Sequence, residues 1–248
     1  MIFQKNPLSD RPRIEACSRN SVFYSSPMYV TKRQANELTK DLIRSLTDNL
    51  KSASDFLLDV LKQDDWSFVI KAHALIESAV TEMLIARIGE PVLKPIVERL
   101  PLSDSQVGKM LLAKQLGLLS DGQRRFVRWF SELRNQLVHK VENVSFTFET
   151  HWVKLDSNQR KNWRESIIHY GDDDTTTKAW ERMVESSTKT AIFMAVLMLM
   201  SECSIQQQQT LNLRKLEELS KVTMQELFAK AVPLEEPATS KKPRKKRT

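Results

Sequence analysis

Apolar residues recur along this chain three and four positions apart from Thr31 almost to the end, the spacing of helices that bury one face. Thr31 and Gln34 stand as a capping box, and Ala35, Leu38, Leu42, Leu46, Ala53, Leu57 and Val60 follow on one stripe. This predicts one long amphipathic helix, or two with a kink near Ser52. A second helix is predicted from about Asp65 to Ile88. Its stripe is Trp66, Val69, Ile70, His73, Ile76, Val80, Leu84 and Ile88, and Gly89 and Pro91 stop it. The segment EPVLKPIVERLPLSD (90–104) carries three prolines and joins the halves, with room for a short helical turn. A third helix is predicted over roughly 104–116, ending at Gly117.

Ser120 and Gln123 repeat the capping-box spacing. They open a helix predicted to reach about Val141, with Phe126, Phe130, Leu133, Leu137 and Val141 on one face. VSFTFET (144–150) alternates, which predicts a brief extended stretch. LDSNQRKNWRESIIHYG predicts a short capped helix closed by Gly171, and DDDTTT (172–177) a polar loop. A long helix from about Lys178 to Ser204 is then interrupted by QQQQ (206–209) and followed by another over about 211–230. No internal repeat is visible. The expectation is an all-α antiparallel bundle of five to seven helices. Residues 31–230 form one domain, 1–30 a loosely ordered arm and 231–248 a charged, disordered tail. Met28 offers an alternative to Met1 as the start, a choice that would leave the arm outside the natural protein.

Composition agrees with helices: glycines number five, and 41% of residues are hydrophobic. The net charge of +7 is uneven. KKPRKKR contributes six cations, Lys241, Lys242, Arg244, Lys245, Lys246 and Arg247, and no anion, so the body is nearly neutral. Cys17 and Cys203 make neither a disulfide framework nor a metal cluster. The first residues lack an apolar signal core, and the apolar run AIFMAVLMLM spans only 191–200, short of the ~20 residues of a membrane span. A cytoplasmic protein without membrane contact is expected.

SELRNQLVHK (131–140) places chemically capable side chains on an otherwise core-forming helix. With Phe126 at 0° and about 100° per residue, Arg134 falls near 80°, inside the edge of the apolar stripe. Asn135 falls near 180° and His139 near 220°, both outside it. Asn135 and His139 are one turn apart, whereas Arg134 and His139 diverge by about 140°. Both reach one ligand only if the helix loosens after Val138 or a second chain completes the site. An arginine at the stripe's edge calls for a carboxylate, and Glu77, between His73 and Val80, is the candidate. An Arg134–Glu77 pair would then fix helix packing.

Other candidates have plainer readings. His151, His169 and Asp172–Asp174 match no compact metal-ligand spacing, and the aspartates read as a solvated loop. His73 reads as a packed core histidine. KKPRKKR is suited to phosphate contacts, or is only a soluble tail. AIFMAVLMLM is apolar all round, so one side could face another subunit.

The order Arg134-Asn135-Gln136-Leu137-Val138-His139 resembles the motif of the HEPN superfamily. The stretches AHALIESAVTEMLIARI and GKMLLAKQLGLLSDGQRRFVRWFSELRNQLVHKVENVSFTF are similar to its mannitol operon repressor-like branch, which has a Glu in an LE helix, an LGL turn, an RN…H segment and a following SF. The resemblance covers about residues 60–150, with a weaker bundle-level match to 178–204, and implies two functions. The first is RNA binding or metal-independent RNA cleavage, without a cofactor, in a toxin–antitoxin or phage-defence setting. Arg134 and His139 would be catalytic and Asn135 and Glu77 supporting. The partners would be RNA, a second copy of the chain, and an antitoxin or other protein. The second is transcriptional regulation through protein contacts, with Arg134 and Glu77 structural. A catalytically inactive HEPN scaffold is a third reading.

Overall fold

The computed structural model describes residues 30–170 and 173–231; the arm, the basic tail, Gly171 and Asp172 lie outside them. The described chain is all-α. The first helix, α1 (Lys32–Leu61), starts on the Thr31–Gln34 capping box and runs through Ser52 without a break. α2 (Asp65–Ile88) starts on the Asp64 carboxylate, which accepts from the Ser67 amide, and ends at Gly89 with φ 73°. A 3-10 turn (Pro91–Leu93) and the short α3 (Lys94–Arg99) occupy the proline-rich joint.

α4 (Lys109–Gln115) is shorter than the predicted 104–116. The Asp104 side chain accepts from the amides of Gln106 and Val107 and holds those residues in a turn. α5 (Asp121–Val138) starts on the Ser120–Gln123 box and stops three residues short of Val141. Where alternation predicted extended chain, the structure has a 3-10 turn (Val141–Ser145) and α6 (Phe148–Lys154), capped by Thr147. The short helix α7 (Ser157–Ile167) carries a full Asp156–Gln159 capping box.

The C-terminal third differs most from expectation. Within the predicted loop, Asp173 accepts from the amides of Thr175 and Thr176 and so starts α8 (Asp174–Ser186). Ser187, at φ −155° and ψ 80°, breaks the helix inside the segment expected to be continuous. α9 (Thr188–Ala231) then runs for 44 residues, straight through Gln206–Gln209. Glutamine is a good helix former, and Gln206 reaches back to Glu202 at 2.9 Å. The apolar run is therefore part of a much longer helix. By length and composition Thr188–Ala229 could cross a membrane, but half of its apolar window (50%) is buried inside the fold.

α2 lies at the centre. Phe68, Val69, Ala72, Ile76, Val80, Met83 and Leu84 are all within 1% of full burial, so its buried surface is far wider than the one predicted stripe. α9, α1 and α5 pack around it. Lys189, at the start of α9, pairs with Asp65 at 3.0 Å, and Arg214 donates to the carbonyl of Arg87 at 3.0 Å. α9 therefore runs parallel to α2 and antiparallel to α1. Residues of α1, α2, α5 and α7–α9 join in one contiguous core.

Candidate functional site

α5 is fixed at both ends. At its start, Gln123 donates to the hydroxyl of Tyr170 at 2.8 Å, and Tyr170 donates to Met198 O at 3.2 Å. At its far end, Trp66 Nε1 donates to Leu137 O at 3.3 Å and Asn143 Nδ2 to Gln136 O at 2.7 Å. Beside them, Asp65 accepts from the Phe148 amide at 2.7 Å. The helix stays regular through Val138, and His139, at φ −83° and ψ −10°, caps it in near-helical geometry. The helix does not loosen after Val138.

Arg134 is half-buried at the seam between α5 and α2, while Asn135 and His139 are exposed. Arg134 Nη1 donates to Asn135 Oδ1 at 3.0 Å. The guanidinium thus leans toward the side of α5 that carries Asn135 and, one turn on, His139. Exposed valines flank that end: Val138 at 38%, Val141 at 85% and Val144 at 54%.

Glu77 does not pair with Arg134. Its carboxylate holds Lys109 at 3.1 Å, and Lys109, 1% exposed, also donates to Glu98 O at 3.3 Å. Lys109 opens α4 and has no route to water, so it takes the nearby acid, whereas Arg134 keeps part of its surface solvated. Glu77 is therefore a structural link between α2 and α4 rather than support for Arg134.

No family model matches the chain, and neither does any curated protein or solved structure.

His73 is a packed core histidine. It is buried on α2, 3.1 Å from the Ser131 hydroxyl and stacked on Phe130. Burial first and the nearby Arg134 charge second hold its pKa below the usual histidine value. Among the described residues, no group of three or more His, Cys, Asp or Glu side chains is gathered for a metal. Cys203 is buried and unpaired. The six cations of the tail and Asp172 lie outside the described residues.

The sequence reading missed a cleft of about 250 Å³ between α5, α6 and α7. Trp129, Leu133, Leu155 and Trp163 line its apolar part, and Glu132, Gln136, His151, Gln159 and Asn162 its polar part. His151 stacks on Trp163 with centroids 5.1 Å apart, and Trp129 meets Trp163 edge-on at 4.9 Å. Burial, and then the Lys154 charge, push the His151 pKa down, which favours the neutral ring at physiological pH. The available signal was Thr147, three residues before Thr150, as an N-cap for α6. Read as a helix start, it turns His151 toward the tryptophans of α5 and α7.

Proposed function

We propose that this protein is a HEPN-type RNA-cleaving, cytoplasmic protein that works as a homodimer without metal or cofactor. The observation that carries the reading is the Arg134–Asn135 hydrogen bond. The backbone positions of Arg134 and His139 diverge, but this bond draws the cation toward the face of the exposed imidazole. It also occupies one N–H of the guanidinium and leaves others for phosphate oxygens.

In this mechanism His139 takes the proton from an RNA 2′-OH, whose oxygen attacks the adjacent phosphorus. Arg134 stabilises the charge that develops on the phosphorane oxygens. The P–O5′ bond breaks and the leaving O5′ takes a proton from water while His139 returns its own to solvent, giving a 2′,3′-cyclic phosphate on one fragment and a 5′-OH on the other. Val138, Val141 and Val144 supply an apolar surface beside His139 on which a second copy docks by the same patch, bringing its own Arg134 near the first chain's His139.

The test is RNA cleavage by the purified protein. His139→Ala changes an exposed residue, so its stability stays within about 0.5 kcal/mol of wild type while the rate falls by roughly 10²–10⁴-fold. Val141→Lys leaves the fold intact, shifts sedimentation to the monomer and lowers cleavage with it. Equal cleavage by wild type and His139→Ala defeats the mechanism.

A second reading, a scaffold or regulator acting through protein contacts, is favoured by a different observation. Near its end α9 exposes Val222, Leu227 and Phe228, large apolar side chains far from α5.

A further inference from the structure

Glu132, Gln136 and His139 stand on α5 at i, i+4 and i+7, so they form one line on the helix surface. The first two line the cleft between α5, α6 and α7, and His139 stands one turn beyond it. The cleft and the exposed imidazole therefore share one face of one helix.

The lining restricts what fits. A volume of about 250 Å³ is below the ~300–1,000 Å³ of pockets for drug-sized ligands, so the occupant is a single small ring system. The Trp129, Trp163 and His151 rings form an aromatic floor, which suits a flat π-face. Around it stand the carboxamides of Gln136, Gln159 and Asn162, each able to donate and accept. Glu132 is the one carboxylate of the lining and accepts only. Among the described residues, neither Glu132 nor the side chains of Gln136 and Asn162 hold a hydrogen bond, so all three can turn to a ligand.

We infer that this cleft binds an unpaired nucleobase, and that Glu132 selects guanine. The inference rests on the RNA reading for the nature of the ligand. Guanine carries two adjacent N–H donors, N1–H and N2–H, on its Watson–Crick edge, which match the two oxygens of a carboxylate. Adenine, cytosine and uracil do not present such a pair. With the base in the cleft, its own phosphate emerges at the Gln136 end of the line, beside His139. A second cleft of about 190 Å³ opens across His151, lined by Glu142, Asn143, Ser145, Thr150 and Lys154 among others, and offers the neighbouring nucleotide a polar path in which Lys154 is offset by the Glu142 carboxylate.

The experiment uses the full chain. The four nucleoside 5′-monophosphates are titrated while tryptophan fluorescence is read, because Trp129 and Trp163 form the floor. GMP quenches at lower concentration than AMP, CMP or UMP. Glu132→Gln, an exposed and nearly isosteric change, weakens GMP by about tenfold or more and leaves the other three within about twofold. In the RNA assay, cleavage 3′ of guanosine falls in Glu132→Gln. If no monophosphate quenches and Glu132→Gln cuts RNA with an unchanged base profile, the inference is overturned while the cleavage reading stands. If GMP binds through Glu132 but wild type cuts no RNA, the cleft is a nucleotide site and the cleavage reading falls.

Discussion

His169 carries the largest pH dependence of any single histidine in the described chain. Its ring packs on Phe126 and Tyr170 with centroids 4.8 and 4.4 Å apart, and among the described residues neither ring nitrogen has a hydrogen-bond partner. Burial pushes its pKa from 6.5 down to about 4. The unfolded chain therefore takes up a proton as the pH falls below about 6.5, and the folded chain resists it until about 4. Stability from this group is complete above the unfolded value and is lost as the pH falls through that window. At about 1.4 kcal/mol per unit, the loss is on the order of 3 kcal/mol. Urea unfolding at pH 7.5, 6 and 4.5 measures it. The His169→Phe variant loses clearly less than wild type over that range. Some slope remains, because burial also lowers the pKa of His73 and His151.

Among the elements, the two helix ends at glycine make a matched pair. Gly89 ends α2 at φ 73°, and Gly117 follows α4 at φ 65°. A Cβ at Gly89 would fall within 2.1 Å of the Arg214 guanidinium, whereas at Gly117 it would meet nothing within 4 Å. Gly117→Ala therefore costs only the left-handed backbone, about 1–2 kcal/mol. Gly89→Ala costs that and also displaces Arg214 from the α2 carboxyl end, so its melting temperature falls further.

Most of the elements could be read in the sequence where capping was local. Thr31–Gln34, Ser120–Gln123 and the stop at Gly89 all stand where the pattern put them. The misreadings share a cause. Alternation at 144–150 and polarity at 172–177 and 206–209 describe side chains, but the backbone there follows Thr147, Asp173 and the helix-forming glutamines. At the site, the exposure of Asn135 and His139 followed from their angles on α5. The Glu77–Lys109 pair did not, because it depends on how α4 packs across α2, a contact 32 residues away that no local spacing encodes. The aromatic cleft was hidden for the same reason, since it assembles three helices.

At the scale of the whole molecule, His139 and the end of α9 stand at opposite poles. The end of α5 is tied to the start of α2 through Trp66, and the start of α9 to the same place through Lys189 and Asp65. From there α9 carries the chain away for 44 residues, about 63 Å from Lys189 to Ala231 at 1.5 Å per residue. The six cations between Lys241 and Arg247 follow Ala231 by ten to sixteen residues, a contour of at most about 35–55 Å. Even at full extension that contour falls about 8–28 Å short of the 63 Å back to the pole of His139. On the proposed RNA reading the molecule is then a ruler: only an RNA that bridges the remaining distance, about 2–8 base pairs of duplex rise or its single-stranded equivalent, is held at both. Removing Lys241–Arg247 therefore leaves the cutting of a short oligonucleotide unchanged, and weakens the capture of long RNA with a shallower dependence on salt. Cleavage measured across a ladder of RNA lengths reads this directly, as a step for wild type and no step for the truncated chain.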